Sequence, residues 1–183
     1  MGNIAPTFKA ATVLAISYIA LFYLSDVMMG NYYVMEFAGL IFLPAFIRLL
    51  GFLMIGFWII PTLLVSDVYL AVMGKLNFAP GLQGDLIIAA MISVGGPLGV
   101  AAAANLTKLK SSLSNLTPLR LLVLSFGCSF GNALFHHLGM RFIGQSEAIS
   151  AGTVGIFLGD MIGSWTIIYL LKGLLTLAGR SLK

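Results

Sequence analysis

Charged residues are scarce in this sequence. Only 9% of its 183 residues are Asp, Glu, Lys or Arg, whereas 60% are hydrophobic, and the mean hydropathy is +1.04. A soluble domain of this length needs a largely polar surface, which this composition does not supply. Apolar stretches of about 20 residues, the length of a helix that crosses a bilayer, recur between residues 10 and 178. The composition therefore predicts one polytopic membrane domain over residues 1–183.

Other absences exclude several functional classes. The single cysteine, Cys128, excludes an internal disulfide and a metal cluster built on cysteines. No basic stripe with interleaved aromatic residues is present, so we expect no binding of nucleic acid. The sequence also lacks an H-E-x-x-H, a P-loop and a G-x-S-x-G. We therefore expect a protein that is not an enzyme and whose first partner is the lipid bilayer.

The hydrophobic pattern predicts an all-α bundle of six transmembrane helices. One apolar run, Phe37 to Met73, would be about 55 Å long as a single helix, nearly twice the roughly 30 Å of a bilayer core. Pro44, Arg48 and Gly51 mark the place where it should break. The second span is then short, and a tilted or re-entrant segment is the alternative to a full crossing. The expected spans are residues 10–29, 37–50, 51–72, 85–104, 118–142 and 150–177.

The distribution of basic residues predicts that both termini are cytoplasmic. No small-residue cleavage site follows the first apolar run, so we expect that run to be retained as a span. With the N-terminus inside, eight of the ten basic residues fall on the inner side, an excess typical of cytoplasmic loops. Those eight are Lys9, Arg48, Lys108, Lys110, Arg120, Lys172, Arg180 and Lys183.

Small residues and one loop provide further expectations. The run Gly95-Gly96-Pro97 should kink or locally unwind the fourth span. Glycines at 155, 159 and 163 form a stripe on one face of the sixth span, for packing within the chain or between subunits. The polar segment 105–117 has leucines at helical spacing. It is either a solvated loop that sets topology or a short amphipathic helix that docks a partner.

Two aspartates inside apolar spans are the sharpest functional candidates. Asp67 lies late in the third span and Asp160 in the middle of the sixth. A carboxyl group surrounded by lipid must be protonated or paired. The candidate partners are Arg48, Arg141, His136 and His137. The alternative is that each aspartate only fixes helix packing through a hydrogen bond.

The fifth span carries a second group of candidates. Asn132 and His136 are four residues apart, so they share one side of a helix, and His137 shares another with Arg141. A ligand site for a polar or anionic small molecule, a proton sensor and packing histidines all fit this pattern. Ala133 and His137 also resemble the A-x-x-x-H of light-harvesting polypeptides, which would make His137 a cofactor ligand. No particular cofactor is identified by these residues.

Arg48 has two interpretations. At a cytoplasmic turn its side chain would extend to the lipid headgroups and do nothing more, which is the favoured interpretation. In a re-entrant segment Arg48 would face a cavity and could bind an anion.

At the level of pattern, the chain resembles the substrate-capture (S) components of energy-coupling-factor vitamin transporters. The resemblance includes Ala11 and Ala15, an A-x-x-x-A in the first span. In that family such a face docks the coupling subunit. The segment 42–74 also looks like the second and third helices of these S components, and like MASE1-type membrane sensor domains. The segment 155–174 looks like the last helix of either. The first resemblance implies other membrane protein subunits as partners, and we expect the bacterial cytoplasmic membrane as the location.

Three functions follow as hypotheses. The first is a small-molecule binding or transport subunit, with Asn132, His136 and Arg141 in an outer site. The second is an accessory subunit of a larger membrane complex, which would use the glycine stripe and the 105–117 segment as its surface. The third is a membrane sensor module whose output passes through a partner bound at that segment.

Overall fold

Helices make up most of the described chain. The computed structural model describes residues 4–29, 33–35, 38–39, 41–76, 78–79, 81–145 and 149–181. The elements are α1 (Ile4–Met29), β1 (Tyr33–Met35), β2 (Ala38–Gly39), α2 (Ala45–Ile55), a 3-10 turn (Gly56–Trp58), α3 (Ile59–Val72), α4 (Leu82–Leu106), α5 (Pro118–Phe142) and α6 (Ile149–Ser181). The two short strands pair antiparallel, Tyr33 opposite Gly39 and Met35 opposite Ala38.

The described residues contain five segments long and apolar enough to cross a membrane: Thr7–Met28, Ala45–Val72, Leu82–Leu106, Pro118–Phe142 and Gly152–Leu177. The expectation of a helical integral membrane protein is therefore confirmed. The number of such segments is one lower than the six expected, because residues 45–72, which include part of the expected second span and the whole of the third, form one segment by length and composition.

Residues 45–72 nevertheless fold back as a helical hairpin. The Tyr18 hydroxyl accepts a hydrogen bond from Arg48 of α2 and donates one to Asp67 of α3. In one continuous helix, residues 48 and 67 would be about 28 Å apart, too far to reach the same hydroxyl. The reversal lies at Gly56, whose φ of 59° and ψ of −137° favour glycine. The expected break at Gly51 is wrong, since α2 runs through it.

Neither arm of this hairpin is a full crossing by itself. At 1.5 Å per residue α2 is about 16 Å long and α3 about 21 Å, against a core of about 30 Å. The expected short second span is thus displaced to Ala45–Ile55, and the third begins at Ile59. Phe37, the expected start of the second span, lies outside the described residues.

A short non-helical segment, residues 41–44, ends in a turn at 43 and 44 and leads into α2 against α6. The Phe42 backbone N–H donates to the Gly159 carbonyl at 3.0 Å, and the Leu43 N–H donates to Ser25 Oγ at 3.1 Å. A Cβ on Gly163 would overlap the Phe42 carbonyl. Non-helical backbone at membrane depth persists only where protein satisfies its polar groups, and α1 and α6 do so here. The Gly159–Gly163 part of the stripe therefore packs within the chain.

Contacts between helices define their directions. Lys75 Nζ lies 3.1 Å from Asp26 Oδ2, so α1 and α3 end at the same end of the bundle. Helices α4 and α5 are antiparallel, because Gly95 lies against Gly131 while Gly99 lies against Gly127. Helices α5 and α6 are also antiparallel, because Asn132 bonds Asp160 while His137 lies beside Thr153. Consequently α1 begins and α6 ends at the opposite end of the bundle.

Four glycines bring α4 and α5 into close contact. A Cβ on Gly99 would overlap the Gly127 carbonyl, and one on Gly131 would overlap the Gly95 carbonyl. Close backbone approach through small residues is a main source of association between helices in lipid, where burial of apolar surface gains little. Helix α4 continues from Leu82 to Leu106, so the expected unwinding at Pro97 is wrong.

The segment after α4 is a series of turns. Lys108 and Leu113 have φ of 51° and 55°, which interrupts any helix. The Asn115 side chain accepts from the Lys110 N–H and donates to the Lys108 carbonyl, a local alternative to helical bonding. The alternative of an amphipathic helix over 105–117 is therefore wrong. Helix α5 then starts as expected at Pro118, with the Thr117 hydroxyl accepting from the Arg120 N–H.

Candidate functional site

A buried polar cluster joins the six α-helices of the described residues at the centre of the bundle. Each helix contributes one side chain, and we call the set the Arg48 cluster: Tyr18 (α1), Arg48 (α2), Asp67 (α3), Ser93 (α4), Asn132 (α5) and Asp160 (α6). All six are buried, with at most 3% of any residue exposed. Tyr18 and Ser93 lie near the midpoints of the segments Thr7–Met28 and Leu82–Leu106. The cluster therefore lies near the middle of these apolar segments.

Arg48 contacts both Tyr18 and Asp160 and lies at the centre of the cluster. Its Nη2 donates to Tyr18 Oη at 2.7 Å, and its Nη1 lies 3.4 Å from Asp160 Oδ2. Its guanidinium carbon is also 5.1 Å from the centre of the Phe42 ring, within the range of a cation–π interaction. The favoured prediction that Arg48 extends to the headgroups is wrong, because helix α2 begins inside the bundle and points this side chain at α6.

The two aspartates receive different donors. Asp160 Oδ2 accepts from Asn132 Nδ2 at 2.7 Å in addition to Arg48. Asp67 accepts the Tyr18 hydroxyl at 2.8 Å on Oδ1, and Ser93 Oγ lies 2.9 Å from its Oδ2. Asp67 thus makes no direct ion pair with Arg48 among the described contacts. The tyrosine hydroxyl stands between them.

Several polar atoms around the cluster are buried and lack a hydrogen-bond partner among the described residues. They are Arg48 Nε, Ser129 Oγ, Asn132 Oδ1, His136 Nε2, Ser164 Oγ and Trp165 Nε1. Ser129 and Asn132 are three residues apart on α5, and Ser164 follows Asp160 by one turn on α6. Buried polar groups are nearly always hydrogen-bonded in folded proteins. These six atoms are therefore exceptions to that rule among the described residues.

The remaining candidate residues of the fifth span do not lie together in the structure. His136 is buried, and its ring packs edge-on against Phe78 at 5.0 Å between centres. His137 lies on another face, with Nδ1 3.3 Å from Thr153 Oγ1. Arg141 is exposed near the end of α5. The expected outer site of Asn132, His136 and Arg141 is thus not assembled as one buried group, because Arg141 is exposed whereas the other two are buried.

The segment over His136 is held by Asp85. Its Oδ1 accepts the backbone N–H groups of Phe78 and Ala79 at 2.8 and 3.1 Å. Asp85 is in the first turn of α4, where a carboxylate also interacts favourably with the helix dipole. This contact positions Phe78 against His136.

Sequence reasoning missed two members of the cluster, Tyr18 and Ser93. A signal was present for Tyr18, because a tyrosine in the middle of a span lies far from the interface where this residue is enriched. Ser93 resembles the other span serines, such as Ser66, whose hydroxyl bonds its own helix at Thr62. Only the position of Asp67 on a neighbouring helix distinguishes Ser93.

The described residues contain no group of three or more His, Cys, Asp or Glu side chains placed to hold a metal ion. Comparison of the chain with family models, with curated proteins and with solved structures finds no match in any of the three.

Proposed function

We propose that this protein is a membrane subunit that binds or transports a polar small molecule, with the Arg48 cluster as its central site. The observation that carries the proposal is an arginine and two aspartates buried together near the middle of the apolar segments. Ionisable groups are costly inside a membrane and occur mainly on substrate, ion or proton pathways. A purely structural role would be served at lower cost by apolar packing.

The non-helical backbone next to the cluster supports the same function. Transporters often bind substrate at mid-membrane, beside helices broken by extended backbone. Residues 41–44 are non-helical and end in a turn, and α2 begins one turn before Arg48. The unpartnered oxygens of Ser129, Asn132 and Ser164 lie on the α5 and α6 faces of the same region.

The proposed orientation places both termini in the cytoplasm of a bacterial cell, across its cytoplasmic membrane. The bundle end at which α1 begins and α6 ends carries Lys9, Lys108, Lys110 and Lys172, in keeping with the positive-inside bias. With α2 and α3 as opposed arms of a hairpin, six helical segments then alternate in direction. Partner subunits, including one docked on the α1 face of Ala11 and Ala15, belong to this proposal. They would supply the energy source.

The test is native mass spectrometry of the full chain, tagged and extracted from its own membranes in mild detergent. We expect a reproducible non-lipid small-molecule mass on the wild type. Asn132→Ala should lose this mass while remaining folded. Leu134→Ala changes an exposed α5 side chain and should keep it.

Two other outcomes would change the proposed site or the proposed function. A small molecule retained by Asn132→Ala would contradict the Arg48 cluster as its site. Protein subunits in fixed ratio with no small molecule would favour the accessory function. Part of the surface that this alternative requires, the Gly159–Gly163 stripe, is packed against residues 42 and 43.

A further inference from the structure

In the Arg48 cluster, the groups that can carry a negative charge outnumber those that can carry a positive charge. Arg48 contributes one positive charge, and Asp67 and Asp160 would contribute two negative charges if both were ionised. All three side chains are fully buried. A net charge in an apolar interior is expensive, so one proton on either aspartate would make the cluster neutral.

The other titratable groups near the cluster do not supply this balance. Tyr18 donates its hydroxyl proton to Asp67 and is neutral, and Cys128 is a buried free thiol. His136 Nε2 has no partner among the described residues. A charged imidazole would have donors on both ring nitrogens, one of them buried and unpaired, so His136 fits the neutral form.

Hydrogen-bond counting around Ser93 identifies the protonated aspartate. Ser93 Oγ lies 2.7 Å from the Ala89 carbonyl and 2.9 Å from Asp67 Oδ2. A hydroxyl has one proton to donate, and a carbonyl oxygen can only accept. Both contacts are satisfied if Ser93 donates to the Ala89 carbonyl and accepts a hydrogen bond from an Asp67 carboxyl group that is protonated on Oδ2.

The same counting at Asp160 gives the opposite result. Its Oδ2 receives N–H groups from Arg48 and Asn132, and a nitrogen donor calls for an accepting oxygen. An ionised carboxylate accepts these bonds most strongly. Asp160 is therefore the counter-ion of Arg48.

We infer that Asp67 holds one exchangeable proton and that this proton is the coupling ion of the site. The coupling role rests on the proposed transport function, whereas the protonation itself does not. When the Asp67 O–H bond breaks, the proton leaves as H⁺ and the cluster acquires one net negative charge. Asp67 then competes with Asp160 for Arg48, which links proton release to the packing of α2 against α6.

Infrared spectroscopy of the reconstituted full chain tests the protonation directly. Ether-linked lipids have no ester carbonyl groups, so they leave clear the region where a protonated carboxylic acid absorbs. At neutral pH the wild type should show that band, and Asp67→Asn should remove it. Ser93→Ala should shift the band to higher frequency, because the acid loses its hydrogen-bond acceptor. Asn132→Ala, the matched change beside Asp160, should leave the band in place.

Contrary results are equally clear. A wild type without the band, a band that Ser93→Ala leaves unmoved, or a band that Asn132→Ala shifts would overturn the assignment to Asp67. These spectra require no substrate, so they remain informative if the search for a bound small molecule fails. Ser93→Ala removes one oxygen atom and keeps the test readable if Asp67→Asn does not fold.

Discussion

Replacing Arg48 with glutamine should strongly destabilise the fold. The change leaves Asp160 buried without its cation, since the Nη1–Oδ2 pair at 3.4 Å is 2% exposed on both sides. Two unit charges at that distance attract by about 5 kcal/mol at an effective dielectric constant near 20. Breaking a buried pair by removing one partner typically costs about 3–5 kcal/mol. We expect Arg48→Gln to lower the free energy of unfolding by that amount.

A double-mutant cycle with Asp160→Asn isolates the interaction. In the Arg48→Gln background, Asp160→Asn removes the uncompensated charge, so the double variant should recover part of the loss. The assay is equilibrium unfolding in mixed detergent and SDS micelles, followed by fluorescence of Trp58 and Trp165. Arg141→Gln, at an exposed arginine, is the control and should change stability by less than about 0.5 kcal/mol. Strictly additive losses, or an Arg48→Gln variant as stable as the wild type, would refute the reasoning.

Three further predictions concern the packing and the orientation of the bundle. Gly99→Ala should lower the free energy of unfolding by about 1–3 kcal/mol, because the new Cβ meets the backbone of α5. Gly152→Ala is the control and should not lower it, because a Cβ there enters open space. Equal stability of the two variants in the SDS assay would contradict the close contact between α4 and α5. Gly56→Ala should cost about 1–3 kcal/mol through its left-handed φ, measured in the same way, and a neutral result would argue against the chain reversal. A cysteine at Ser112 should react with an impermeant thiol reagent only from the cytoplasmic side and one at Met73 only from the outside. The native thiol of Cys128 is buried and should not react with the reagent. Labelling of both introduced cysteines from the same side would reject the proposed topology.

Local composition was enough to predict much of this fold. An apolar run of the right length forms a helix in lipid wherever it occurs, since its backbone has no other way to satisfy its polar groups. The expected fifth span, 118–142, therefore has the same bounds as α5, and Thr117 and Pro118 provide its start signal. Asp67 and Asp160 could likewise be singled out, because a carboxyl in an apolar span requires a partner.

The tertiary structure alone decided which partners these residues have. The chain reverses at Gly56, and the sequence does not distinguish this glycine from Gly51 beforehand. Arg48 meets an aspartate 112 positions away, so no local pattern could indicate that it faces inward instead of reaching the headgroups. The amphipathic spacing in 105–117 was overridden by the side-chain bonds of Asn115. The sequence by itself thus determined that the chain forms long apolar helices, while the buried cluster exists only because the described helices bring distant polar side chains to one point.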